Sequence, residues 1–453
     1  MSDASQSPHR DHLRAAASSA RDLLVNSDAD RWEFFTKAST TREVEVAPGT
    51  PPKETLVEEV GVAIRTVRQD RAGFGAASGL EADAARRAIE GAFAVETALP
   101  FDPLPPSRLL GLSDVTGRRT PSPRGWAAHA TDQLARSVVE ASHGRLKLRR
   151  TLFQEGSYCW LLATEDDFVA TYDDIAASLV VELQTMKDGD GIWRDWIHLP
   201  VVEAFDSSAV ARRISDRALL VQGPLATDSG LANVILAPEM TARVLAALAP
   251  LLMATDGEHD PLPGLLDPSG RLASSSLTLF DDRLDPNAPI TGPCDGEGLP
   301  ARRTVLLEEG IPRHRLASYR DAVLFGETPR GGALRLSYRD YPATGIANLR
   351  VDTESGLPSR ELLTRAESAL YLLRPLAPVL LDAPGDSYRI VASGVWLDQT
   401  GVRGWHPVVE LRGSLSLLLR RIDAVGTDLA WFQTDGGCVG APTVLIRHQP
   451  VVG

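Results

Sequence analysis

Chemistry in a folded chain needs side chains that can hold a metal, move a proton or attack, gathered within reach of one another. The densest such group is Cys294-Asp295-Gly296-Glu297-Gly298. A thiol and two carboxylates this close could ligate a metal ion. The same residues also suit a tight, glycine-dependent turn whose carboxylates accept backbone N–H bonds. A second candidate is Cys438, just after Gly436-Gly437. A thiolate near backbone N–H groups is an activated nucleophile, but the sequence sets no particular histidine beside this one, and a packed thiol is the competing reading. Glu258-His259-Asp260 joins an imidazole to two carboxylates, between a glycine and a proline that suit a solvated loop. His9 and His12 sit near the start of a helix with no third ligand close in sequence.

The elements that must position these groups alternate between the helix and strand periods. Residues 12–25 and 80–95 carry apolar residues at helical spacing, and residues 43–46, 56–68 and 73–77 read as strands, the last two joined by a hairpin loop at 69–71. Six prolines between 100 and 123 argue for an extended surface connector over 100–126. A helix over 127–142, strands over 146–164, 169–184 and 193–202, and a helix over 207–221 follow. Residues 234–252 then read as a buried strand, a turn and a core helix. Pro238 sits at the helix start, Glu239 in the first turn, and Met240, Val244, Leu248 and Leu251 on one stripe, with Pro250 ending or kinking it. Beyond it the pattern is mostly strand, at 277–280, 304–307, 333–338, 347–352, 379–381, 388–395, 406–413 and 442–448, with one helix at 414–424. The expected class is α+β: an N-terminal α+β domain (1–99), the connector (100–126), a central α+β region (127–223) and a β-rich C-terminal domain (224–453).

Composition bounds the partners. The chain has 453 residues, 43% hydrophobic and 24% charged, enough for two or three domains with a sizeable core. Its net charge of −13 opposes binding to nucleic acid. No apolar run approaches the roughly eighteen residues of a membrane span. Residues 1–8 read as disordered, and the polar N-terminus has no apolar signal core. Three scattered cysteines give no disulfide framework. Together these suggest a reducing cytoplasm and no membrane partner, and the Arg-over-Lys, Ala-rich usage suggests a GC-rich bacterial source.

Several stretches also fall in a recognisable order. Leu277-Thr278-Leu279-Phe280-Asp281 is followed by Asp295-x-Glu297-Gly298-x-Pro300, then by Arg303-Thr304-Val305-Leu306-Leu307-x-x-Gly310. Asn348-Leu349 after Pro342, Gly440-Ala441-Pro442 before Val444-Leu445-Ile446, and Gly61-Val62-Ala63-Ile64-Arg65 through Gly73-Phe74-Gly75 complete the series. This succession resembles the TldD/PmbA family, although Ala347 stands where that family usually has threonine. For the TldD branch the resemblance implies a zinc peptidase whose metal is held by an H-E-x-x-x-H helix and a C-terminal cysteine. Laid against that helix, the histidine positions fall on Ala246 and Leu251 and the glutamate position on Ala247. No histidine lies between 199 and 258, and Cys438, in the region of the third ligand, cannot make the site alone. The chain therefore resembles the TldE branch. That implies a non-catalytic, pseudoenzyme subunit with no cofactor of its own, a zinc-bearing TldD-like partner, and a small or unfolded peptide substrate, possibly a modified precursor. A stand-alone hydrolase using Cys438 and a homo-oligomeric peptide-binding protein are the alternatives.

Overall fold

The computed structural model describes residues 8–98, 103–111, 115–117, 119–186, 191–221, 225, 229–254 and 259–452. Alternating β-branched and aromatic residues make long strands in its first half. Strands β1 (Arg31–Val46), β2 (Lys53–Arg68), β3 (Arg71–Ser78), β4 (Glu96–Ala98), β5 (Val115–Thr116), β6 (Leu146–Thr164), β7 (Val169–Thr185) and β8 (Ile192–Leu199) form one sheet. Its order is β4-β3-β2-β1-β6-β7-β5, with β8 also paired to β7. Helices α1 (Pro8–Leu24), α2 (Ala82–Ala94), α3 (Trp126–Ala141) and α4 (Ser207–Leu220) cover one face.

The pleat decides what each face carries. Trp32, Phe34 and Ala38 of β1 and Cys159, Leu161 and Ala163 of β6 pack beneath α1 and α2. Their alternates, Glu33, Phe35 and Lys37 on β1 and Tyr158, Trp160 and Leu162 on β6, take the opposite face. Arg65 of β2 pairs with Glu33 and shares that face. Phe35 and Leu162 there pack with Tyr338, so the second face meets the C-terminal half of the chain.

That half begins with β9 (Gly230–Leu236) and α5 (Pro238–Leu248). Pro238 takes a first helical position that needs no N–H, after an extended Ala237. There follow α6 (Leu262–Leu265), β10 (Leu279–Asp282), β11 (Arg303–Glu308), β12 (Ile311–Pro312), α7 (Tyr319–Phe325), β13 (Ala333–Leu334), β14 (Ala343–Thr344), β15 (Asn348–Val351), α8 (Ser359–Ala366) and β16 (Ser368–Pro375). The chain ends with β17 (Leu380–Asp382), β18 (Ser387–Asp398), β19 (Gly401–Ser414), α9 (Leu415–Arg420), β20 (Ile422–Val425), β21 (Ala430–Thr434), β22 (Gly437–Ala441) and β23 (Val444–Val452). One sheet runs β12-β11-β10-β15-β22-β21; another runs β16-β9-β23-β19-β18-β17, with β20 on β23. Met240, Val244 and Leu248 of α5 share one core with Leu349, Phe432 and Val439 of the six-stranded sheet and Leu370, Leu372 and Ile390 of the seven-stranded one. Met240 and Leu248 are fully buried, each contributing about 1.5–3 kcal/mol.

The α+β class holds, and several details differ from the sequence reading, which also lacks α7, α8, β16 and β21. The regions expected as separate units, 1–99 and 127–223, share the first sheet, because β1 pairs along its length with both β2 and β6. The Pro-rich stretch is docked rather than running free over the surface. Arg31 donates to the carbonyls of Leu104 and Pro105 at 3.0 Å, and β5 pairs in parallel with β7. β1 starts at Arg31 rather than at 43. The helix expected over 414–424 stops at Arg420, since Ile422 and Val425 pair with β23. Residues 1–7, Pro100, Gly223, Pro224 and Glu258 lie outside the described residues. No helix among the described residues is long and apolar enough to cross a membrane.

Candidate functional site

Helix α5 has one stripe that is not swallowed by the core. Glu239, Arg243, Ala246 and Ala247 fall at spacings that share a helix face, and they floor two adjoining recesses of about 570 and 520 Å³. The first recess is closed by Ile192, Asp195 and Trp196 of β8 and by Arg374, Phe432 and Gln433. The second is closed by Pro375 to Val379 and by Thr434, Asp435 and Gly436. Arg243 and Pro375 belong to both, so the two form one groove. Strand β21, on the groove's side, is an edge strand.

The groove is polar at one end and aliphatic at the other. Arg243 lies 3.8 Å from Glu239 and donates to the Gln433 carbonyl at 3.4 Å. Arg374 stacks over Trp193 at 4.0 Å. Burial raises the Glu239 carboxyl above its ordinary value; Asp195 adds to this, and Arg374 and Arg243 oppose it. Ala246 and Ala247 offer no donor atom at the other end. Leu251, the remaining position of the implied zinc motif, lies in a 3₁₀ turn, Ala249–Leu252, outside α5. Cys438 is placed on β22, where Val439 belongs to the α5 core and Cys438 packs instead with Ala288 and Trp431. The pleat therefore turns its sulfur away from Ala246 and Ala247. Burial, with Asp281, pushes its thiol up to about 12, so it is held protonated. These residues do not fit a zinc ion, which needs deprotonated sulfur, imidazole or carboxylate ligands. Among the described residues no group of three or more His, Cys, Asp or Glu side chains is placed to hold a metal. His12 is exposed on α1, and Asp260 pairs with Arg315.

The Asp295 turn has a different position and a different role. Asp295 accepts the N–H groups of Glu297 and Leu299 on Oδ1 (both 2.9 Å) and of Ala333 on Oδ2 (3.0 Å). Gly296 leaves room for the backbone of Arg335, which a Cβ would meet at 3.0 Å, and Gly298 has φ +87°. Glu297, 1% exposed, accepts from Arg65 Nη1 at 3.0 Å and from the Tyr319 amide at 2.6 Å. Arg65 also clasps Glu33 with Nε (3.0 Å) and Nη2, and Arg335 Nη1 reaches Glu33 at 2.9 Å. Burial opposes the charge on Glu33, yet Arg65 and Arg335 outweigh it and hold that carboxyl below its usual value. The turn thus closes an ionic seam between the first sheet and the C-terminal half. Sequence reading found the turn but not its partners. Arg65 precedes Glu297 by 232 residues, and Glu33 precedes Arg335 by 302. Of the groove residues, Glu239 reads in the sequence only as a first-turn acid, and Asp195, Arg243 and Arg374 do not stand out; the i, i+4 pair Glu239–Arg243 is their one sequence signal.

Residues 229–453 match the family model described as the PmbA/TldA metallopeptidase C-terminal domain. A metalloprotease of Synechocystis is 28% identical over 196 residues, 40% of this chain and 41% of the relative. A metalloprotease of Methanothermobacter thermautotrophicus is 27% identical over 271 residues, 56% of this chain and 57% of the relative. The chain thus spans about half the length of the curated relatives it matches. Among solved structures, TldE from Thermococcus kodakarensis superimposes with a TM-score of 0.80 at 14% identity, over 99% of this chain and 100% of that one. A Thermotoga maritima protein described as a modulator of DNA gyrase gives 0.73 at 15% identity, over 97% of this chain and 100% of the other. At such identities the likeness is one of fold.

Proposed function

The chain belongs, through residues 229–453, to the TldD/PmbA family, and we propose that it acts there as a TldE-like, non-catalytic subunit of a heteromeric zinc peptidase. The observation that carries this reading is the floor of the groove over α5. An accessible groove remains, but Ala246, Ala247 and Leu251 occupy the positions at which a zinc-bearing relative would place its motif. A surface built for a peptide is thereby separated from the chemistry of cutting it.

In this reading a TldD-like partner brings the zinc, which would supply the activated water, and this chain contributes binding surface. The edge of β21 offers backbone hydrogen bonds to an extended peptide. Phe432 and Trp196 take apolar side chains, while Glu239, Arg243 and Arg374 orient polar ones. The substrate is a small or unfolded peptide, including a modified precursor, because a folded protein does not present extended backbone to such a groove. The setting is cytoplasmic.

The test is to purify the chain alone and together with a TldD-like partner. Bound zinc is then measured, and cleavage of an unstructured peptide is followed with and without chelator. The single chain should carry no stoichiometric zinc and cleave nothing, and the co-purified pair should cleave in a chelator-sensitive way. Stoichiometric zinc and chelator-sensitive cleavage by the single chain would overturn the proposal.

A further inference from the structure

A separate cavity of about 200 Å³ lies between the second face of the first sheet and the loops around the Asp295 turn. Its wall is aromatic. Phe35 stacks on Trp160, with ring centroids 6.3 Å apart and planes at 30°, and Tyr158 stands nearby with Lys37 Nζ 5.7 Å from its centroid. Its charged groups are three cations, Lys37, Arg283 and Arg335, and one carboxylate, Asp295. The pleat explains the gathering, since Phe35, Lys37, Tyr158 and Trp160 are the alternates that face away from α1 and α2.

The cations have buried donors without acceptors, whereas Asp295 already accepts three backbone N–H groups. Arg335 gives Nη1 to Glu33 and Nε to the Asp340 carbonyl (3.1 Å), while its buried Nη2 has no partner. Arg283 gives Nη2 to the Ala333 carbonyl at 2.6 Å, and its buried Nε has none. Lys37 donates to the Leu336 carbonyl, and the charges of Glu59 and Asp340 act on its ammonium. Both oxygens of Asp295 are occupied by three backbone N–H groups. Buried N–H groups without acceptors are costly, and two guanidinium groups beside an aromatic wall match a planar acceptor.

We propose that this cavity binds one carboxylate carried on a flat apolar group. The carboxylate lies among Arg283, Arg335 and Lys37, and the apolar body lies against Phe35 and Trp160. Asp295 in the wall favours a singly charged ligand. The volume is below the roughly 300–1,000 Å³ of sites for larger ligands, which limits the occupant to an acid near the size of phenylacetate. Such a group can be a free acid or the C-terminal residue of a peptide. The cavity shares no lining residue with the groove over α5, so the inference does not depend on the peptidase-subunit reading.

The test is calorimetric titration of the full chain with phenylacetate, phenylacetamide, the tripeptide Gly-Gly-Phe and its C-terminal amide. Phenylacetate should bind roughly tenfold or more tightly than phenylacetamide, the margin of one charge-assisted contact. Binding of the tripeptide but not its amide supports the site with a peptide terminus as source; binding of phenylacetate alone supports it with a free acid as source. Lys37→Met should weaken phenylacetate binding. Ala176→Leu, which fills the cavity from its half-buried wall, should abolish binding without shifting the melting temperature. Equal binding of acid and amide, no binding of phenylacetate at millimolar concentration, or wild-type binding by Ala176→Leu would overturn the assignment.

Discussion

Replacing Arg65 by methionine puts the ionic seam to a quantitative test. Arg65 is 1% exposed, and its donors go to Glu33 and Glu297. In Arg65→Met, Glu33 keeps Arg335 at 2.9 Å, and Glu297 keeps only the Tyr319 amide. With Glu297 ionised, above pH about 7, the formal charge of the group Glu33, Arg65, Glu297 and Arg335 then changes from zero to minus one. Removing one partner of a buried pair costs about 3–5 kcal/mol. Glu297→Met leaves the opposite imbalance and should cost a similar amount. The double substitution restores neutrality, so the two losses should fall short of additivity by about 2 kcal/mol, inside the roughly 0.5–3 kcal/mol seen for coupled neighbours. Urea unfolding of the four proteins, followed by circular dichroism and tryptophan fluorescence, measures the cycle. Additive losses, or single losses near the roughly 0–1 kcal/mol of surface pairs, would refute the reasoning. The seam also has a pH signature. Burial, opposed by Arg65 and reinforced by Asp295, pushes Glu297 up to about 7 from its usual 4.5. A carboxyl raised on folding contributes stability that is complete below the unfolded value and is lost as pH rises through the folded one. Relative to Glu297→Gln, the wild type should therefore lose stability between pH 4.5 and about 7.

Three further outcomes follow from the same geometry. Gly298→Val places a β-branched residue at φ +87°, with its Cβ 3.1 Å from Leu110. It should lower the melting temperature by several degrees, from a strain of about 1–2 kcal/mol or more, and a selective loss of activity at unchanged stability would count against a structural turn. The triple substitution Ala246→His, Ala247→Glu, Leu251→His should gain no zinc-dependent cleavage in the single chain, because α5 ends at Leu248 and residue 251 sits in a 3₁₀ turn of different period. Metal analysis and a chelator assay check this. Cys438→Ala should leave cleavage by the assembled complex unchanged, since the thiol is buried with Ala288 and Trp431; loss of turnover in an intact complex would point to a cysteine hydrolase.

What could be read from the sequence was what local pattern encodes. Strand β6 was placed to the residue, and the strand, proline and helix of β9–α5 were read from the apolar run and stripe. Local pattern failed where distant partners decide. Arg31 to Arg42 carries Lys, Thr and Ser on a strand, and its pairing with both β2 and β6 holds it there. Ile422 continues a helical apolar stripe but is drawn into β20 by β23. At the candidate sites, Asp295 as an acceptor of backbone N–H groups was legible, because its donors are mostly two and four residues away. That Lys37, Arg283 and Arg335 meet around one cavity was not, because no spacing relates them before the first sheet and the C-terminal half come together.

The seam at Arg65 also bears on how such a chain can vary by descent. Two of its groups, Glu33 and Arg65, belong to the first sheet; the other two, Glu297 and Arg335, belong to the half that begins near residue 229. A recombination that exchanges only one half inherits half of a buried charge balance. A donor half with an apolar residue at 65 would strand Glu297, and one with an apolar residue at 297 would leave Arg65 in surplus. Viable hybrids between relatives should therefore carry all four groups or lack them together. Soluble yield across a panel of half-swapped chimaeras should sort by that match rather than by overall sequence identity.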